Sequence, residues 1–63
     1  MRHNLIEARK KVSLTQAQIA KRLEICTRQY QRIELGEQDG TIKTWQKIKD
    51  LLGGTIDFLI VND

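Results

Sequence analysis

The sequence contains no proline, one cysteine and one histidine, and a single residue each of tryptophan, tyrosine and phenylalanine. Without proline, no helix carries a built-in break. One cysteine cannot close an internal disulfide, and one histidine beside it supplies no set with zinc-ligand spacing. The two staples common in small domains are therefore missing, and no metal or cofactor is expected. No run reaches the roughly 18 apolar residues of a membrane span, and the start of the chain has no apolar stretch of the signal-peptide kind. A soluble chain in a reducing, cytoplasmic setting is the expectation. Enzymatic chemistry finds little to work with. There is no Ser-His-Asp set, no glycine-rich phosphate loop and no carboxylate pair with a plausible pocket.

What remains is a chain of 63 residues, room for one domain over 1–63. A domain of this size buries only about 60% of the surface its unfolded chain exposes. Its stability must come from closely packed short helices, helped by a partner subunit if one exists. Eleven basic residues face eight acidic ones, for a net charge of +3. That mild excess says little by itself about a nucleic-acid partner.

The apolar spacing is helical almost throughout. Leu5, Ala8 and Val12 form one stripe and predict a first helix over 3–12. Ser13 and Leu14 make a short connection. Thr15, with Gln18 three residues on, has the form of a capping box. It opens a second helix over 16–23 whose inner face is Ile19, Ala20 and Leu23. A tight turn at Glu24-Ile25-Cys26 leads to a third helix over 27–35, stopped by Gly36. After the polar loop Glu37-Gln38-Asp39-Gly40, Thr41 caps a fourth helix with a buried face of Ile42, Trp45, Ile48 and Leu52. Gly53-Gly54 ends it. Thr55 caps a short fifth helix, with Asp57 placed against its positive end and Ile56, Leu59 and Ile60 on its apolar side. Phe58-Leu59-Ile60-Val61 has strand composition, but the cap and the preceding glycines favour helix. The expected fold is all-α, a compact bundle of five short helices.

Two helices joined by a three- or four-residue turn form the motif that enters DNA, and TQAQIAKRLEICTRQYQRIELG has that form. Ile19, Ala20, Leu23, Ile25, Tyr30 and Ile33 let its two helices cross over a shared core. The rest of the third helix is informative. Thr27, Arg28, Gln31, Arg32 and Leu35 share one outward face, and none is acidic. Arginine can bond guanine O6 and N7 in bidentate fashion, and glutamine can do the same for adenine N6 and N7. Leu35 and the Thr27 methyl suit thymine methyls. A solvated helix face is the plain alternative for an isolated Arg-Gln pattern. The helical spacing, the tight turn and the Gly36 stop shift the balance only in combination.

In that combination the chain resembles the lambda-repressor/Cro-like group, or XRE family, from about Leu5 to Ile60. The pieces that carry the resemblance are Arg9, Leu14-Thr15-Gln16, Ile19-Ala20, Ile33-Glu34-Leu35-Gly36, Leu52-Gly53, Ile56-Asp57 and Leu59-Ile60. The resemblance implies a helix-turn-helix at helices 2 and 3 and a transcriptional regulator, a repressor by analogy. It implies that Thr27, Arg28 and Arg32 reach base edges. Gln16 would brace the DNA backbone, and Gln31 and Thr41 would lie near phosphates. Arg9 and Glu34 would form an ion pair that orients the third helix. The chain departs from the pattern at Ser13 and Glu24, which stand where relatives often have glycine. The 37–39 loop is acidic where relatives are often basic. Lys43 and Lys47, away from the Ile42-Trp45-Ile48 face, are the candidates to hold phosphate there instead.

The expected partner is double-stranded DNA with an approximately palindromic operator, bound by a homodimer with its two reading helices ~34 Å apart. Such a protein would be nucleoid-associated when bound. Phe58 and Val61 are the candidate dimer contacts, with packing beneath helix 1 as the alternative use for them. The rival reading is an antitoxin-like or other interaction module that keeps the fold but binds a protein. Cys26 is expected to act as a small capping residue, His3 as a solvated tail residue, and Tyr30 and Trp45 as core anchors.

Overall fold

In a computed structural model describing residues 1–63, five helices and no strand make up the chain. They are α1 (His3–Lys11), α2 (Gln16–Leu23), α3 (Thr27–Leu35), α4 (Ile42–Leu52) and α5 (Ile56–Leu59). The starts of the last four helices each have a local cause. Thr15 Oγ1 accepts from the Gln18 amide at 3.1 Å, and Gln18 Oε1 accepts from the Thr15 amide at 2.9 Å, completing the capping box of α2. At the start of α3 the Cys26 amide donates to Gln29 Oε1 at 3.3 Å. Thr41 and Thr55 accept from the Thr44 and Phe58 amides at 3.1 and 3.2 Å, capping α4 and α5.

The first three helices end by one device. Ser13, Glu24 and Gly36 adopt left-handed φ values of 59°, 61° and 81°. The next amide in each case reaches back five residues: Leu14 to the Arg9 carbonyl at 3.3 Å, Ile25 to Ala20 at 3.0 Å and Glu37 to Arg32 at 3.0 Å. This is the six-to-one bond of a Schellman close. Only at Gly36 is the residue suited to the conformation. There a side chain would also collide with Asn62, whose Nδ2 donates to the Gly36 carbonyl at 3.2 Å.

The core is one cluster: Leu5, Ile19, Ala20, Leu23, Tyr30, Ile33, Trp45, Ile48 and Leu59. Ala8, Leu14, Ile25, Leu51, Leu52 and Ile56 pack on its margin. α2 and α3 pack closely on each other, while α5 is held against α1 and α4. Phe58 and Leu59 are helical and Val61 lies beyond the helix, so the strand alternative does not form. No helix is long and apolar enough to cross a membrane.

Three expected core positions are exposed. Val12 follows the last residue of α1, and Ser13 then turns the chain away, so Val12 overhangs the core at 41% exposure. Ile42 is 78% exposed although it shares a phase with Trp45 and Ile48. It is the first residue of α4, one turn beyond Trp45, where the core already ends. Ile60, expected on the inner side of α5, follows its last helical residue and is 37% exposed. A position that the sequence reading did not address and the fold takes inside is Arg2, at 2% exposure.

Candidate nucleic-acid interface

The outer face of α3 follows from which of its residues the core takes. Tyr30, Ile33 and Glu34 point inward. Arg28, Gln31, Arg32 and Leu35 are exposed, and Thr27 is half-buried. Neither Arg28 nor Arg32 makes an ion pair within the chain. Both guanidiniums keep all their donors for an outside acceptor, and always carry charge.

Behind this face a chain of polar contacts runs into the core. Arg9 Nε donates to Glu34 Oε2 at 2.7 Å, and Arg9 Nη1 donates to the Leu14 carbonyl at 2.8 Å. The second Glu34 oxygen, Oε1, accepts from Gln16 Nε2 at 2.8 Å. Gln16 Oε1 in turn accepts from Gln31 Nε2 at 3.2 Å. The side chains of Arg9 and Glu34 are 12% and 4% exposed, so their charges are desolvated and depend on these partners. The chain links α1, α2 and α3 and ends at an exposed amide on the α3 face. Gln16 is thus joined to the third helix through two partners.

Tyr30 lies against the same ion pair. Its hydroxyl is buried and outside hydrogen-bonding geometry with any partner. Burial first, then the Glu34 carboxylate, hold its ionisation well above the usual tyrosine range, against a smaller opposing effect of Arg9. Trp45 Nε1 is the other buried donor without a partner.

At the start of α4, Thr41 and Lys43 are exposed. The Thr41 hydroxyl is shared between the Thr44 amide and the Thr44 hydroxyl, the latter at 3.0 Å. Lys47 is not free in the same way as Lys43. Its Nζ lies 3.8 Å from Glu24 across the α2–α3 turn. Phe58 and Val61 are exposed at 53% and 44% and lie outside the core cluster, with Phe58 lining a shallow cleft beside Asn4, Glu7, Ala8 and Lys11 of α1.

Arg2 was missed by sequence reasoning. Its Nη1 donates to the Ile33 carbonyl at 2.6 Å and the Gln38 carbonyl at 3.2 Å. Its Nε donates to the Ile60 carbonyl at 3.1 Å, and its Nη2 meets Asp39 Oδ1 at 2.6 Å. The guanidinium carbon sits 5.4 Å from the centre of the Trp45 ring, a cation–π distance. One signal was available in the sequence. Arg2 lies three residues before Leu5 and continues the inner stripe of α1. Asp39, half of the acidic loop, is neutralised by it.

A helix-turn-helix family model matches residues 5–59. No curated protein and no solved structure matches the chain significantly. Arg2 and the tail beyond Leu59 lie outside the matched segment. Fold, order of helices and family match agree: the chain belongs to the helix-turn-helix family of the lambda-repressor/Cro-like (XRE) kind, a family of DNA-binding regulators.

Proposed function

We propose that this protein is a sequence-specific regulator of transcription, a repressor, that lays α3 in the major groove of duplex DNA. Arg28 and Arg32 read base edges, with Thr27 beside them. Gln16, Gln31, Thr41 and Lys43 hold the phosphates that fix register. Arg9 and Glu34 set the angle of α3 and take no part in reading. The observation that carries the proposal is the outer face of α3, where two exposed arginines have no acidic partner anywhere in the chain. Both stand on the outward face of the second helix of the motif, free to meet an external anion or base edge.

Two copies related by a two-fold axis would place their α3 helices in successive major grooves, ~34 Å apart. Exposed Phe58 and Val61 are the proposed contacts between them. The protein would then work wherever the chromosome is, on an operator with approximate dyad symmetry.

Selection of bound sequences from a random duplex pool, followed by salt titration on the winner, tests this reading. The expected product is an inverted repeat, bound with affinity that falls steeply as salt rises. A pool that yields no enriched sequence, or binding indifferent to salt, rejects it.

A further inference from the structure

We infer that Arg2 is a positioning residue for DNA binding: it fixes the start of α4 relative to α3 without itself touching DNA. The inference rests on the roles proposed above for α3, Thr41 and Lys43.

The 37–40 loop joins the two elements and has little to hold it. Glu37, Gln38 and Asp39 are exposed. The amides of Glu37 and Gln38 bond back to the Arg32 carbonyl at 3.0 and 3.3 Å. Beyond them, the loop's remaining hydrogen bonds before Thr41 come from one side chain, Arg2, through the Gln38 carbonyl and the Asp39 carboxylate. The same guanidinium grips the last turn of α3 at the Ile33 carbonyl, and the Arg2 amide donates to the Glu34 carbonyl at 2.7 Å. It also lies over Trp45, on the second turn of α4. One planar group therefore sets the end of α3, the loop and α4 against each other.

A simple plug for the core would not be built this way. Burying a charge is expensive, and an apolar residue of similar volume fills the space at lower cost. What an apolar residue lacks is a set of donors in fixed directions. The guanidinium fork supplies them, and an ammonium on a flexible stem does not. The fork's directions match carbonyls on separate elements, which is the task of a spacer.

Arg2→Lys, with Asp39→Asn as a second variant, tests this. The Asp39 carboxylate is 83% exposed, so Asn there leaves the fold intact and removes the charge from the Nη2 contact, while the Gln38 carbonyl still accepts from Nη1. Amide exchange is followed by NMR, and DNA affinity is measured over a range of salt. In both variants the amides of residues 38–41 are expected to exchange about tenfold faster while those of α2 keep their protection. In Arg2→Lys, affinity for the selected duplex should fall about tenfold, and the slope of log K against log salt should flatten by about 0.9, the loss of one phosphate contact. The preference for the correct duplex over one with a changed base should persist. Adding Lys43→Ala to Arg2→Lys should cost little more than Arg2→Lys alone. A merely structural role would lower the melting temperature and leave the salt slope unchanged.

Unchanged loop exchange in both variants, or losses from Arg2→Lys and Lys43→Ala that multiply, overturns the proposal while leaving DNA binding by α3 in place. Absence of salt-dependent DNA binding by the unaltered chain overturns the functional reading and this inference together.

Discussion

Glu24 and Gly36 hold the same left-handed backbone conformation and close the two helices of the motif with the same six-to-one hydrogen bond. Only one of them is glycine. The Cβ of Glu24 faces a carbonyl oxygen at close range, a strain of roughly 1–2 kcal/mol for an L-residue.

Glu24→Gly should therefore stabilise the protein. Part of the gain is offset by the freer unfolded chain, leaving a net of about 0.5–1 kcal/mol. The lost contact with Lys47 is largely exposed and worth little. Thermal unfolding should show the midpoint rising by several degrees. A clear fall would mean that Glu24 contributes something the turn geometry does not reveal.

Breaking the Arg9–Glu34 pair should have the opposite effect. Arg9→Met leaves a buried carboxylate without its cation, at a cost of about 3–5 kcal/mol. That is most of the stability a chain this size can be expected to have, about 3–9 kcal/mol. Replacing both partners by apolar residues should recover much of the loss in denaturant unfolding. DNA affinity should not recover with it, because Gln16 would still lack its acceptor.

Tyr30 gives the pH dependence. Its ionisation is raised in the folded state, so the stability it contributes is fully present below the unfolded value of about 10 and is lost as pH rises beyond it. Tyr30 is the only tyrosine, so tyrosinate absorbance reports it without ambiguity. The absorbance should appear together with unfolding and not before it. Tyr30→Phe removes a buried hydroxyl with no partner. It should be neutral or slightly stabilising at pH 7, with a flatter alkaline limb than the parent.

On DNA, Arg28 and Lys43 should behave differently. Arg28→Ala should cost about 1–3 kcal/mol on the selected duplex and relax the preference at one base pair. Lys43→Ala should weaken all duplexes alike and reduce the salt slope by about 1. Binding isotherms at several salt concentrations on matched and mismatched duplexes separate the two. If Arg28→Ala and Arg32→Ala both leave binding intact, the reading face has been misassigned.

The sequence is legible where local chemistry decides the outcome. The limits of α2 and α3 follow from Thr15, Gln18 and Gly36, each of which acts within a few residues of itself. The Arg9–Glu34 pair is legible only through family resemblance, since nothing local links two charges 25 positions apart. Val12 and Ile42 mislead because periodicity gives the phase of a helix and not where its neighbours stop. Arg2 is hidden for a different reason. Three of its four side-chain bonds go to backbone carbonyls, which every residue possesses and no sequence pattern marks.

Arg28 and Arg32 are tied to nothing else in the molecule, while Tyr30, Ile33 and Glu34 on the same helix are committed to its interior. Substitutions at the two outward positions therefore leave the scaffold almost untouched. On the proposed reading, descendants of this chain would drift toward new targets through those two side chains, and a designer would retarget it by the same route, without having to restore folding each time.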